Sequence, residues 1–170
     1  MTAVASIQNI RIGLGIDSHR IEAGGPLILG GLHLDLYPMH FVGHSDADVL
    51  LHAITDAVLT AAGLPDIGEL FPNNLDENKG RDSAEMLSLA MSAFRKKGFR
   101  LLQVECVVEL ERPKISSHKE EMRRRIAAIV DIDPDHVHIK GKTGEGIGEI
   151  GTGQLARATC IVLAERVSNT

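Results

Sequence analysis

Ile10-Arg11-Ile12-Gly13-Leu14-Gly15-Ile16-Asp17-Ser18-His19, and later Ser45-Asp46-Ala47-Asp48-Val49-Leu50-Leu51-His52-Ala53-Ile54-Thr55-Asp56, are the two segments on which the fold turns. Residues 10–16 form a short β-type run that ends at the polar cluster Asp17-Ser18-His19. An aspartate and a histidine two residues apart on extended backbone point to the same face. At roughly 3.3 Å rise per residue their backbones lie about 6.6 Å apart, near enough for both side chains to reach one ion. The second segment has helical spacing, with apolar residues at Val49, Leu50, Ala53, Ala57 and Val58, and stops at Gly63-Leu64-Pro65. Ser45 is its expected cap, with Asp48 three residues on as the acid of a capping box. A strand end bearing Asp17 and His19 and a helix bearing His52 offer three ligands. One tetrahedral position stays open, as it does in catalytic zinc sites. The plainer alternative makes Asp17 and His19 turn residues and His52 an ordinary helix histidine.

Outward from these segments, strands and helices alternate. Gly24-Gly25-Pro26 breaks the chain, and residues 27–34 resume as a strand with Gly30-Gly31 as a bulge or turn. Residues 66–79 read as a polar loop. Asp82 with Glu85 opens a second helix through Lys97, closed by Gly98, and its basic last turn suits the negative helix end. Residues 102–111 alternate in part, with Val104, Cys106, Val108 and Leu110 set against Gln103, Glu105, Glu109 and Glu111. Ser117 with Glu120 is the expected cap of a third helix that runs to about Val130. Residues 137–141 and 156–167 are the closing strands. No repeat or linker divides the chain. The prediction is an α+β fold: one domain over residues 1–170, with 1–10 a short N-terminal extension. Its mixed sheet has four to five strands, with helices mainly on one face.

Composition removes several function classes. At 170 residues the chain is one domain by size and long enough to bury a core. Its 44% hydrophobic and 24% charged residues are the balance of a folded protein, not a disordered one. A net charge of -5 provides no positive field for nucleic acid or anionic lipid. With aromatics at 3%, no tryptophan and one tyrosine, Tyr37, a base-stacking platform is not expected. Cys106 and Cys160 both sit in apolar runs and read as core thiols of a reducing compartment, not a bridge or a metal pair. No apolar run approaches membrane-span length, and the first ten residues lack a secretory layout. A soluble cytoplasmic protein is expected.

Other polar clusters surround the three ligand candidates. Gly43-His44-Ser45-Asp46 precedes the helix that carries His52, where backbone N–H groups favour an anion such as phosphate. His44 can donate to a phosphate oxygen, while Ser45 and Asp46 also suit simple capping. Asp56, one turn after His52, can orient it or be a solvated helix carboxylate. Asp66-Ile67-Gly68 can meet sugar hydroxyls or merely form a turn. Lys140-Gly141-Lys142-Thr143-Gly144-Glu145-Gly146 is not a P-loop, whose lysine and hydroxyl follow the second glycine of a longer frame. It still offers a cation, a hydroxyl and a carboxylate on one turn, groups suited to a diphosphate with its divalent ion.

Taken in order, Gly13 to His19, Gly43 to Ala53 and Asp66-Ile67-Gly68-Glu69-Leu70-Phe71-Pro72 resemble the 2-C-methyl-D-erythritol 2,4-cyclodiphosphate synthase family of the non-mevalonate route to isoprenoids. Lys79-Gly80, Asp82-Ser83, Pro113-Lys114, His118 and Met122 extend the match over essentially the whole chain after residue 10. The resemblance implies a metal-dependent lyase that converts 4-diphosphocytidyl-2-C-methyl-D-erythritol 2-phosphate to the cyclic diphosphate and CMP. It implies Zn2+, or another divalent transition metal, on Asp17, His19 and His52, and Mg2+ or Mn2+ at Glu145. His44 and Thr143 take the catalytic positions. The implied substrate contacts are Asp17, Ser18, His19, His44, Ser45, Asp66, Ile67, Gly68, Phe71, Lys114, Lys142, Thr143, Gly144 and Glu145. Residues 110–116 correspond to the cytidine pocket. Family members are homotrimers with sites between subunits, so residues 110–145 would face a neighbour's zinc.

Departures from the family pattern leave the implied metal ligands in place. Lys142-Thr143-Gly144-Glu145 stands where the family often has Thr-Thr-Thr-Glu, and Asn73-Asn74-Leu75 follows Phe71-Pro72 in place of Asp-Thr-Asp. Many relatives grip an isoprenoid diphosphate on the trimer axis with an arginine. Here Thr152 holds that position and Glu149 replaces a phenylalanine, so no such ligand is expected, with Arg157 the open question. Two other classes remain in view. A zinc phosphoesterase would need a base near the metal, for which Asp46 and Asp56 are candidates, and a metal-stabilised trimeric binding module would bind without turnover.

Overall fold

The computed structural model describes residues 7–167, and residues 1–6 of the expected N-terminal extension lie outside them. Strands β1 (Ile10–Ala23), β2 (Ile28–Leu29), β3 (Leu32–His33) and β4 (Met39–Val42) lead into helix α1 (Val49–Ala61). The single turn α2 (Ile67–Leu70) and helix α3 (Ser83–Lys96) precede β5 (Phe99–Glu109). Helix α4 (Lys119–Val130), β6 (Val137–Lys142), the short α5 (Gly148–Gly151) and β7 (Leu155–Arg166) follow. Five strands make one sheet in the order β4-β1-β7-β5-β6, antiparallel except for the parallel β5–β6 pair. This is the α+β layout the sequence predicts, its five strands within the expected four to five.

The alternation along β1 creates the layers. Gly13, Gly15, Asp17 and His19 face α1, whereas Ile12, Leu14 and Ile16 face outward and are 67%, 49% and 56% exposed. On β7 Ala156, Ala158, Cys160, Val162 and Ala164 are buried, while Arg157 and Ile161 are exposed on the outer face. Small residues on the inner face let α1 settle directly on the sheet. Helix α1 is apolar almost all round, and only Asp56 and Thr60 escape burial between the sheet and α3. Cys106 and Cys160 face each other across β5 and β7 as buried free thiols. Among the described residues, no helix is long and apolar enough to cross a membrane.

Several boundaries differ from the sequence expectation. β1 continues past Ile16 because its backbone stays paired, with β7 as far as Arg20 and with β4 from Arg20 to Ala23. Asp17 and His19 therefore sit inside a strand, not at its end. Residues 27–34 hold a hairpin, since Gly30 and Gly31 take φ of 62° and 74°, as a tight two-residue turn requires. The cap of α1 is Asp48, not Ser45. Its buried carboxylate accepts from the N–H groups of Leu50 and Leu51 and also from Gly30 and Gly31, which ties the hairpin to the helix start. Ser117 lies in a 3-10 turn, and α4 begins after His118 without a side-chain cap. β5 starts earlier than expected, at Phe99, and a bulge between Leu101 and Gln103 breaks its alternation there. β4, α2 and α5 span four residues each, too short to carry a periodic signal of their own.

Candidate active site

β1 presents Asp17 and His19 beneath α1, and His52 comes from the first turn of that helix. Asp17 Oδ2 lies 2.9 Å from His19 Nε2 and 3.0 Å from His52 Nδ1, and the two ring nitrogens are 3.1 Å apart. A tetrahedral zinc site with ligands near 2.0 Å has ligand–ligand edges of about 3.3 Å, so this triangle has the right size. His19 Nδ1 lies 2.9 Å from the Val42 carbonyl, which can only accept, so Nδ1 donates and Nε2 turns a lone pair inward. Burial works to lower the His19 pKa, but the hydrogen bond and charge of Asp17 prevail and hold it above its ordinary value. Burial likewise works to raise Asp17, and hydrogen bonds with His19 and His52 prevail, holding it well below the usual carboxylate range. Both directions favour a positive charge at the centre of the triangle, whether a proton or a metal. These residues fit a divalent ion, and they are the one such group of three among the described residues.

The triangle opens on a cavity of about 180 Å³ lined also by His44, Ser45, Ile67, Gly68 and Phe71. His44 Nδ1 lies 3.3 Å from the Asn78 carbonyl, which orients the ring and leaves Nε2 for another partner. Asp66 caps α2 by accepting the Glu69 N–H at 2.9 Å, and so places Ile67 and Gly68 on the wall. Three sequence expectations need correction here. Ser18 alternates away from Asp17 and His19, onto the outer face opposite Arg157, and does not line this cavity. Asp56 anchors α2 through the Ile67 N–H at 2.8 Å instead of orienting His52. Burial pushes the Asp56 carboxyl up, partly offset by that N–H. Asp46 accepts the N–H groups of Asp48 and Ser83 and the Ser83 hydroxyl, so it is committed to structure rather than to activating water. Sequence reasoning also missed Asn78, whose side chain donates to the Pro72 carbonyl at 2.9 Å while its own carbonyl holds His44.

A second cavity, of about 270 Å³, gathers Leu110, Lys114, Ile115 and Ser116 with Lys142, Thr143 and Glu145. The Arg112–Pro113 peptide beside it is cis. Thr143 Oγ1 donates to Glu145 Oε1 at 2.7 Å, and the Gly144 N–H donates to Glu111 at 3.0 Å. Glu145 itself takes a left-handed φ of 51°. Cross-strand register places Ser18, Arg157, Glu109 and Lys142 in one row over β1, β7, β5 and β6. Three strand spacings of about 4.8 Å put Lys142 roughly 14 Å from Ser18. One chain thus holds these two groups of residues in separate cavities, and it does not bring residues 142–145 to Asp17, His19 and His52.

The sequence model of the YgbB family matches residues 10–165. The 2-C-methyl-D-erythritol 2,4-cyclodiphosphate synthase of Gemmatimonas aurantiaca is 44% identical over 158 residues, covering 91% of this chain and 95% of that protein. The protein of the same name from Rhodopirellula baltica is 42% identical over 156 residues, with 92% and 93% covered. Among solved structures, IspF of Plasmodium falciparum in complex with CDP superposes with a TM-score of 0.83 at 32% identity, covering 96% of this chain and all of that one. The bifunctional IspDF of Campylobacter jejuni gives a TM-score of 0.89 at 35% identity, and there the match covers 94% of this chain and 43% of the larger protein.

Proposed function

This chain belongs to the YgbB family, and from that premise we propose that it converts 4-diphosphocytidyl-2-C-methyl-D-erythritol 2-phosphate to 2-C-methyl-D-erythritol 2,4-cyclodiphosphate and CMP. The observation that carries the reading is the Asp17–His19–His52 triangle opening on a cavity that also holds His44 and Ser45.

An oxygen of the 2-phosphate attacks the β-phosphorus, the bond from that phosphorus to the CMP oxygen breaks, and CMP leaves with the electron pair. The nucleophile is already anionic and the leaving group is a phosphate, so neither a strong base nor a strong acid is needed. The obstacle is the approach of two anions, which positioning and charge neutralisation overcome. A zinc-type ion on Asp17, His19 and His52, with magnesium or manganese at Glu145, would supply Lewis-acid polarisation and neutralise the diphosphate. His44 and Ser45 donate to phosphate oxygens, while Ile67, Gly68 and Phe71 wall the erythritol and Asp66 accepts its hydroxyls. Residues 110–116 take the cytidine, Lys114 and Lys142 offset charge, and Thr143 with the Gly144 backbone orients the diphosphate. The test is product identification with the metal-loaded protein. CMP with a cyclic diphosphate supports the reading; an opened phosphate would point to a phosphoesterase instead.

Two half-sites need a second chain, and the exposed Ile12, Leu14, Ile16 and Ile161 on the outer sheet face suit a subunit contact. A homotrimer with sites between subunits is the proposed assembly, and an active monomer in light scattering would refute it. Glu145→Gln is expected to keep zinc but weaken the magnesium or manganese dependence of turnover, because one oxygen ligand loses its charge. An unchanged divalent-ion titration would give Glu145 another role. Thr152 turns its hydroxyl back onto the Gly148 carbonyl at 2.8 Å, and Arg157 stands on the outer face between Ser18 and Glu109. Calorimetric titration with geranyl diphosphate is expected to show no tight site on the trimer axis, and one tight site per trimer would contradict that.

A further inference from the structure

We propose that Asp46 and Ser83 form a hydrogen-bond relay that selects the tautomer of His52 and thereby sets how tightly the triangle holds a metal. The proposal rests on reading Asp17, His19 and His52 as ligands. It concerns two residues that neither line the cavity nor touch the other two ligands.

Ser83 is the first residue of α3 and is fully buried. Its Oγ donates to Asp46 Oδ1 and stands 2.9 Å from His52 Nε2. A hydroxyl has one proton to give. The Asp46 carboxylate already accepts the N–H groups of Asp48 and Ser83, at 3.2 and 3.0 Å, and draws the Ser83 proton as well. Ser83 Oγ therefore faces His52 with a lone pair, and Nε2 must carry the ring proton. With Nε2 carrying the ring's own N–H, Nδ1 is the nitrogen that offers its lone pair to a metal, and a metal displaces the proton it shares with Asp17 Oδ2 at 3.0 Å. A carboxylate behind a histidine is a recurrent way to orient a metal ligand; here a serine is interposed. Ser45 lies 3.0 Å from the same Nε2 but lines the cavity, so the two hydroxyls divide the work. Ser83 positions the ligand, and Ser45 serves an anion in the cavity. Ser83 is not the cap of its helix, because Asp82 accepts the Ala84 N–H at 2.7 Å. Its hydroxyl can be removed without uncapping α3.

The test compares wild type, Ser83→Ala and Asp46→Asn. In the metal-free protein, nitrogen-15 NMR of labelled histidine above the imidazole titration range reads the tautomer directly. Zinc affinity is read separately by chelator competition. Ser83→Ala is expected to weaken zinc binding by about 10- to 100-fold, the usual effect of losing a partner behind a ligand, while the metal-free melting temperature falls by only a few degrees. Asp46→Asn removes the carboxylate charge that draws the Ser83 proton. Where the NH2 group takes the Oδ1 position, it donates to Ser83, Ser83 donates to His52, and the ring proton moves to Nδ1. An equivalent aspartate-to-asparagine change traps the wrong histidine tautomer in serine proteases. Zinc affinity should fall at least as far as in Ser83→Ala. A wild-type His52 whose Nε2 carries no proton would overturn the relay with no variant needed, even if both variants fail to fold. Unchanged zinc affinity in both variants would overturn it too. A wild-type chain that binds no zinc would instead overturn the metal reading on which the relay stands.

Discussion

Gly15→Ala is expected to cost upward of about 3 kcal/mol of stability, beyond the usual range for overpacking a core. A Cβ at Gly15 would stand 2.0 Å from the Ala53 carbonyl oxygen and 2.7 Å from the Ala57 nitrogen. Both are backbone atoms of α1, so no side chain can rotate away. The helix must lift off β1, and it cannot do so alone, because it is buried between the sheet and α3. A fall in melting temperature of about 10 °C, or failure to recover soluble protein, is the predicted outcome for a chain of this size. The site should suffer in the same stroke, because Ala53 follows His52 directly. Raising that turn draws His52 away from Asp17 and His19, so any folded fraction should hold metal poorly. A melting temperature within a degree or two of wild type would show that α1 packs less closely than described.

His52→Ala is expected to abolish tight zinc binding and to lower turnover by about three orders of magnitude, the scale of losing a preorganised electrostatic stabiliser. Two ligands would remain, Asp17 and His19, on one strand and without the third corner of the triangle. The fold should survive. The substitution removes a ring at the helix start but leaves the Asp48 cap and the apolar faces of α1 intact. Its main structural cost is the Ser83 hydroxyl left without its histidine partner, about 1 to 2 kcal/mol. Elemental analysis together with far-ultraviolet circular dichroism separates the outcomes. A native spectrum with full zinc occupancy would remove His52 from the ligand set.

Much of this site is legible in a linear reading because backbone geometry sets the periods. A two-residue repeat on extended chain places Asp17 and His19 on one face whatever surrounds them. The same rule sends Ser18 to the other face, where the resemblance-based substrate contact cannot use this cavity. The apolar run of α1 and the mixed composition lead to a buried helix on a sheet, and the structure has both. The ordered motifs from Gly13 to Glu145 point to the family, whose model matches residues 10–165.

Capping was less legible, since Ser45, Asp46 and Asp48 all have side chains able to bond a helix start. Only the approach of Gly30 and Gly31 selects Asp48, whose carboxylate serves both segments. Ser83 lies 31 positions from His52, and its oxygen is chemically indistinguishable from that of Ser45 until the chain is folded. Asp56, one turn from His52, bonds to Ile67 because α2 arrives there. The sequence by itself determined which residues share a face, and hence the three candidate ligands, because strand and helix periods follow from local dihedral angles. Only the tertiary structure decided which hydroxyl and carboxylate stand behind His52, and that one chain holds residues 142–145 and the Asp17–His19–His52 triangle in separate cavities. Those outcomes depend on which distant segments pack together, and local periodicity does not encode that.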